Sequence, residues 1–166
     1  PKARFVNAPA DWTTDVDKRA EAFEIDIEII SAGTPVALAA AVTGAIDKKE
    51  PILAWGYSPY WLTAKYEGEW VEFPKAEDAC FSDPAWGTNP DATWDCGYKD
   101  GEIGKLANKE FIAKHPKIAA ILRAFRMTTK DVGLTTEEVD VKGRTMQEVV
   151  DEWMEANRAT WEAWIK

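Results

Sequence analysis

Apolar residues at every second position mark one segment clearly: Ile25, Ile27 and Ile29 alternate with Asp26 and Glu28, so residues 24–30 read as a half-buried strand. Arg4-Phe5-Val6 predicts a shorter strand, and the apolar run from Pro51 to Trp55 predicts a buried one. Helical spacing fills the intervals. Residues 14–23 place Val16, Ala20 and Phe23 on one face, and Thr34 followed by Pro35 is a start signal for a helix to about Ile46. Pro59 opens a short helix ending near Tyr66, and Glu69 to Phe73 reads as a further strand stopped by Pro74. This alternation predicts an α/β fold, a mixed or parallel sheet with helices on its faces.

The pattern changes at Lys75. Residues 75–101 carry no periodicity and are dense in Gly, Pro, Asp and Asn, a length of irregular chain expected of a hinge or lid. Residues 102–107 predict one more strand. Beyond it the chain reads as helical, over 108–114 and over 116–126, with Ile118, Ile121, Leu122 and Phe125 as a stripe. Two capping boxes are expected, Thr135 with Glu138 and Thr145 with Glu148. A last helix from Met146 to about Ile165 gathers Val149, Val150, Trp153, Met154, Trp161, Trp164 and Ile165 near one face, which reads as core or a packed interface.

Composition narrows the function. With 46% apolar and 30% charged residues, the 166-residue chain has the make-up of a globular domain, not a disordered one. A net charge of −9 argues against nucleic acid, whose binding needs a basic surface; the acidity itself reads as solubility or as adaptation to a salty medium. No run of eighteen apolar residues is present to span a bilayer. No signal peptide is visible, and Pro1 begins inside a structural pattern, as expected of a chain taken from something longer. The two cysteines, Cys80 and Cys96, form a disulfide in an oxidising compartment or stay free thiols in a reducing one.

Catalytic signatures are missing. The sequence has no P-loop, no GxGxxG and no GxSxG, and no recognisable acid/base pair among its carboxylates. His115, the single histidine, precedes Pro116 at a helix junction and reads as surface or capping, without the neighbours a metal needs. The acidic stretch 83–100 lacks EF-hand spacing, leaving a calcium ion there as an alternative to a plain loop. The expectation is a non-enzymatic protein with no cofactor and no dedicated metal site.

Rings are what the chain has in excess: nine Trp, four Tyr and six Phe, with WGYSPYW at 55–61 placed where the chain must turn. One reading is core and hinge packing. The other is recognition of a quaternary ammonium or N-oxide head, which carries positive charge but no N–H and is held by ring faces at roughly 0.5–2 kcal/mol each.

NAPADWTTD (7–15), KKEPILAWGYSPYWLTAKYEGEWVEFP (48–74), LANKEFIAKHP (106–116) and WMEANRATWEAWIK (153–166) resemble, in the same order, the C-terminal half of glycine betaine/choline-type substrate-binding proteins of osmoprotectant ABC importers. The resemblance implies a type II periplasmic-binding fold, of which this chain supplies the second lobe and the C-terminal return into the first. Residues 1–74 would be the ligand-binding lobe, 75–101 a hinge or crossover loop, and 102–166 the mostly helical part of the other lobe. It implies a small ligand (glycine betaine, choline or trimethylamine N-oxide) and two protein partners, a membrane permease and the N-terminal half of the same protein. An extracytoplasmic location follows, with Cys80 and Cys96 joined.

By position within the matching motifs, Trp12 and Tyr57 correspond to cage rings. The backbone N–H groups of Thr13 and Thr14, at the expected start of a helix, correspond to the donors for the ligand's anionic end. Trp55 would flank the ligand or pack beneath it, and Tyr60 and Trp61 would anchor the turn. Tyr57 stands where such proteins often have Trp, the usual cysteine pair around the first ring is missing, and Asp11 adds negative charge beside it. A ligand-sensing module of the same fold is the alternative function, and a small α/β enzyme a more distant one.

Overall fold

The computed structural model describes residues 2–166, and the chain divides into two compact units, each built from two separate stretches of sequence. The first unit runs to Gly56 and resumes over Glu69–Gly101; the second comprises Tyr57–Gly68 and Glu102–Lys166.

The first unit is built on a parallel sheet. Strand β1 (Ala3–Asn7) lies in the centre, with β2 (Ile27–Ser31) on one side and the two-residue β3 (Leu53–Ala54) on the other. In register, Ala3 faces Ile27 and Asn7 faces Ser31, while Phe5 and Val6 face Leu53 and Ala54. The polar positions of the alternation pair across strands: Arg4 sits opposite Glu28 and reaches its carboxylate at 3.5 Å. The strand expected from residue 24 starts later. Glu24 takes a left-handed φ of 53°, and the Ile25 N–H returns to the Ala20 carbonyl, so residues 24–26 close the preceding helix.

That helix, α1 (Val16–Ala22), is shorter than the expected 14–23 and turned relative to it: Val16, Arg19 and Ala22 are its buried positions. Arg19 displaces Ala20 from the inward face because its guanidinium is claimed by backbone carbonyls. Helix α2 (Pro35–Lys48) forms as the start signal predicts, the Thr34 hydroxyl accepting from the Ala37 N–H at 3.1 Å with Pro35 in the first turn. It ends at Lys49 in left-handed conformation, and buries Leu38 and Ala39.

Residues 69–73 form no strand. Among the described residues no strand pairs with them to complete a ladder, and Trp70 and Val71 remain exposed. Residues 75–101 fold around a Cys80–Cys96 disulfide and two short 3-10 turns, Asp78–Phe81 and Pro84–Trp86. Two carboxylates of this loop hold its turns. Asp83 accepts from the Ala85 N–H, and the buried Asp95 accepts from the Asn89 N–H and the Thr88 hydroxyl. A Cβ at Gly87 would overlap the Asp95 carboxylate, so only glycine lets that carboxylate approach the backbone.

The second unit is helical: α3 (Trp61–Lys65), α4 (Lys109–Lys114), α5 (Pro116–Ala124), α6 (Thr129–Thr136), α7 (Met146–Ala156) and α8 (Arg158–Trp164). Residues 102–107 form no strand here, since none of the unit's described residues offers one to pair with. Instead the Lys105 ammonium caps the end of α5, donating to the Leu122 and Phe125 carbonyls at 2.5 and 2.7 Å. Helix α3 packs on α6 at Gly133 and is tied by Lys65 to the buried Glu137 at 2.5 Å, in the single π-turn Glu137–Val141.

Of the two capping boxes, Thr145 with Glu148 forms; Thr135 with Glu138 does not. Helix α6 starts earlier, capped by Thr128, so the Thr135 hydroxyl falls inside it and bonds back to the Asp131 carbonyl. The expected helix to residue 165 is broken at Asn157, whose side-chain amide and N–H both donate to the Trp153 carbonyl. The break lets Trp164 stack on Trp153 at 5.8 Å. In an unbroken helix these positions would sit about 16 Å apart along the axis.

Candidate functional site

A parallel sheet presents the C-terminal ends of its strands on one edge, and the order β2–β1–β3 makes the gap between β1 and β3 a point where outgoing connections diverge. The chain leaving β1 runs toward α1 and β2; the chain leaving β3 leaves the sheet. The first connection carries Trp12, Thr13 and Thr14, and the second begins with Trp55, whose N–H extends the ladder to the Val6 carbonyl at 2.8 Å. Four of the five sequence-predicted residues therefore belong to adjacent strand-end loops of one unit. Tyr57 belongs to the other.

Trp12 is set by a turn, its N–H bonded to the Pro9 carbonyl at 2.9 Å, and its side chain is 37% exposed. Thr13 and Thr14 do not open the helix. Asp15, with a left-handed φ of 48°, is the N-cap, and α1 starts at Val16. Their N–H groups thus belong to the loop, and neither donates to an acceptor among the described residues.

Thr14 is buried and held from several sides. Its hydroxyl accepts from the Asn7 amide at 3.0 Å, and its carbonyl accepts from the Tyr98 hydroxyl at 2.8 Å and more weakly from Arg19 Nη1 at 3.5 Å. The Tyr98 ring meets Trp55 edge-on at 5.2 Å and lies under the Arg19 guanidinium at 3.7 Å. Burial raises the Tyr98 pKa above 10.0 despite the opposing pull of Arg19, so its hydroxyl stays protonated and donating at neutral pH.

Arg19 is 4% exposed and has only carbonyls as its hydrogen-bond acceptors: Cys96 and Gly97 at 2.9 Å each, Asp15 at 3.2 Å, and Thr14. The Asp15 carboxylate goes to Lys18 instead, at 2.7 Å. Two buried polar atoms at these strand ends find no partner among the described residues, Asn7 Oδ1 and Trp55 Nε1. Each such group costs on the order of 1–3 kcal/mol, and unsatisfied atoms of this kind concentrate where a fold serves function.

In the second unit the aromatic segment builds a stack. Tyr57 lies on Tyr60 at 4.5 Å and 14°, Trp61 tilts against Tyr60, and Tyr66 against Trp61. The Thr63 hydroxyl holds the Tyr57 carbonyl at 2.9 Å, and the Ser58-Pro59 peptide is cis. Burial raises the pKa of both Tyr57 and Tyr60, and the Asp140 carboxylate adds to it. Among the described residues no cluster of His, Cys, Asp and Glu has the arrangement to hold a metal ion, and no helix is long and apolar enough to cross a membrane.

Tyr98 and Arg19 are the parts of this arrangement that sequence reasoning missed. Tyr98 sits in aperiodic chain, and Arg19 in a helix whose polar residues read as its solvent face. The turn of hydrophobic positions around Val16 and Ala22 was the one available signal, since it leaves position 19 on the inward side.

The sequence profile of the family described as the substrate binding domain of ABC-type glycine betaine transport system matches residues 1–156. A trimethylamine N-oxide-binding protein of Pelagibacter ubique (strain HTCC1062) is 25% identical over 170 aligned positions, covering 99% of this chain and 51% of the relative. The chain thus spans about half the length of the curated relative it matches.

Proposed function

We propose a ligand-receptor role from this premise: the chain belongs to the family of substrate-binding domains of ABC-type glycine betaine transport systems. It binds a methylated ammonium or N-oxide solute outside the cytoplasm and delivers it to a membrane permease. Trp12 and Tyr57 are its cage rings. Trp55 backs the site, and the Thr13 and Thr14 N–H groups receive the ligand's anionic end. With the matched relative about twice as long, an N-terminal half of the same protein completes the second lobe. Glycine betaine, choline and trimethylamine N-oxide are the candidate ligands, the last supported by the similarity to a trimethylamine N-oxide-binding protein.

The observation that supports this most directly is the placement of Trp12. A large ring stays 37% exposed on the loop leaving the central strand, at the edge of a parallel sheet where ligands bind. Isothermal titration of the intact protein with the three candidates, and with unmethylated glycine as control, tests the reading. Saturable binding of a trimethylated compound but not of glycine is the expected outcome. Equal binding of glycine, or no binding of any of the three, would refute it.

A further inference from the structure

The Thr13 and Thr14 N–H groups meet no acceptor among the described residues, yet the turn that carries them is braced from behind by residues far away in sequence. The Tyr98 hydroxyl and the Arg19 guanidinium hold the Thr14 carbonyl, and the Asn7 amide holds its hydroxyl. Holding the Thr14 side chain and its carbonyl restrains that residue's backbone on both sides, and so limits the directions open to the Thr14 N–H on the preceding peptide. The brace is itself anchored. Arg19 grips the carbonyls of Cys96 and Gly97, Cys96 is bonded to Cys80, and the Gly97 N–H donates to the Pro74 carbonyl at 2.8 Å.

An arginine buried to 4% exposure with carbonyls as its only hydrogen-bond acceptors is an expensive way to close a loop. A hydrophobic residue at position 19 would pack the same helix face without burying a charge. What the guanidinium adds is a rigid fork joining the disulfide loop to the ligand turn, with a positive charge behind that turn.

We infer that Tyr98 and Arg19 are positioning residues for the anionic end of the ligand, setting the preference for solutes with a carboxylate or N-oxide over those without one. The inference rests on the receptor reading above and on the assignment of the Thr13 and Thr14 N–H groups within it. Neither residue needs to touch the ligand. They hold the donors aimed, so that the donors do not have to be ordered on binding.

The test is titration of the intact protein and its Tyr98→Phe variant with glycine betaine, trimethylamine N-oxide and choline, alongside thermal unfolding. Phenylalanine keeps the ring that meets Trp55 and removes only the hydroxyl. The expected result is roughly fivefold weaker binding of glycine betaine and trimethylamine N-oxide, the equivalent of one hydrogen bond, with choline changed less than about twofold. An Arg19→Lys variant should show the same split, more strongly if it folds. Equal weakening for all three ligands would mean a purely structural role, and unchanged affinities would mean that the turn needs no brace; either overturns the inference. If the unaltered protein binds none of the three, the receptor reading fails first and takes this inference with it.

Discussion

Two glycines inside helices make opposite predictions from the same substitution. At Gly133 in α6, an added Cβ would lie 2.6 Å from the Ala64 Cβ and 2.9 Å from the Tyr60 carbonyl oxygen, where ordinary contact begins at 3.4 Å. At Gly44 in α2 nothing stands within 4 Å. Alanine in place of helical glycine stabilises by about 1 kcal/mol through backbone entropy, and at Gly44 that gain should appear undiminished. At Gly133 the same gain is opposed by overpacking against backbone, which costs typically 1–3 kcal/mol and sits near the upper end when the obstacle cannot rotate away. We expect Gly44→Ala to raise stability by about 1 kcal/mol and Gly133→Ala to lower it by about 1–2 kcal/mol. Urea unfolding followed by tryptophan fluorescence measures both. Adding Ala64→Gly to Gly133→Ala should restore only part of the loss, because the Tyr60 carbonyl remains in the way. If Gly133→Ala were as stable as Gly44→Ala, α3 and α6 would not approach as closely as described, and the position of the Tyr57–Tyr60 stack would lose its support.

The remaining predictions concern the cage, the disulfide and acid. Trp12→Ala and Tyr57→Ala should each weaken ligand binding by about 1–2 kcal/mol in titration of the intact protein; unchanged affinity in both would remove them from the site. Replacing Cys80 and Cys96, which span 16 positions, by alanine should cost roughly 3 kcal/mol of stability through loop-closure entropy, and a loss below about 1 kcal/mol in urea unfolding would contradict that account. The Glu148 carboxylate accepts from the Thr145 N–H and hydroxyl, which holds its pKa below the ordinary 4.5. A depressed carboxylate stabilises the folded state above its unfolded pKa and stops doing so as pH falls through the folded value. Protection of the first turn of α7 from hydrogen exchange, corrected for intrinsic rates, should therefore decline only below pH 4.5; decline between pH 7 and 5 would rule out this cause.

The sheet was legible because its evidence is local. Alternating isoleucines, a Thr-Pro helix start and a short apolar run each say what they are within a few residues. The strands expected at 69–73 and 102–107 carried comparable local patterns, yet a strand is completed by a neighbour, and among the described residues none pairs with these segments. The break at Asn157 was hidden for a similar reason. Asparagine is a modest helix former, and what ends the helix is its grip on Trp153 together with the return of Trp164 onto the same indole. The strand-end placement of Trp12 and Trp55 followed from the strand pattern. Tyr98 and Arg19 reach Thr14 through contacts 84 and 5 residues apart, and no spacing rule links the longer of these to the shorter.

The tie between Lys65 and Glu137 joins residues 72 positions apart, and α3 packs closely on α6, the helix leading to that π-turn. During synthesis the segment 57–66, with its four aromatic rings, emerges well before the chain that will cover it. At roughly 5–20 residues per second the wait is on the order of several seconds, far longer than a helix takes to form and melt. Over that interval this aromatic stretch is nascent chain without the α6 surface it packs on. The tie that Lys65 makes in the folded chain therefore waits on the arrival of residue 137.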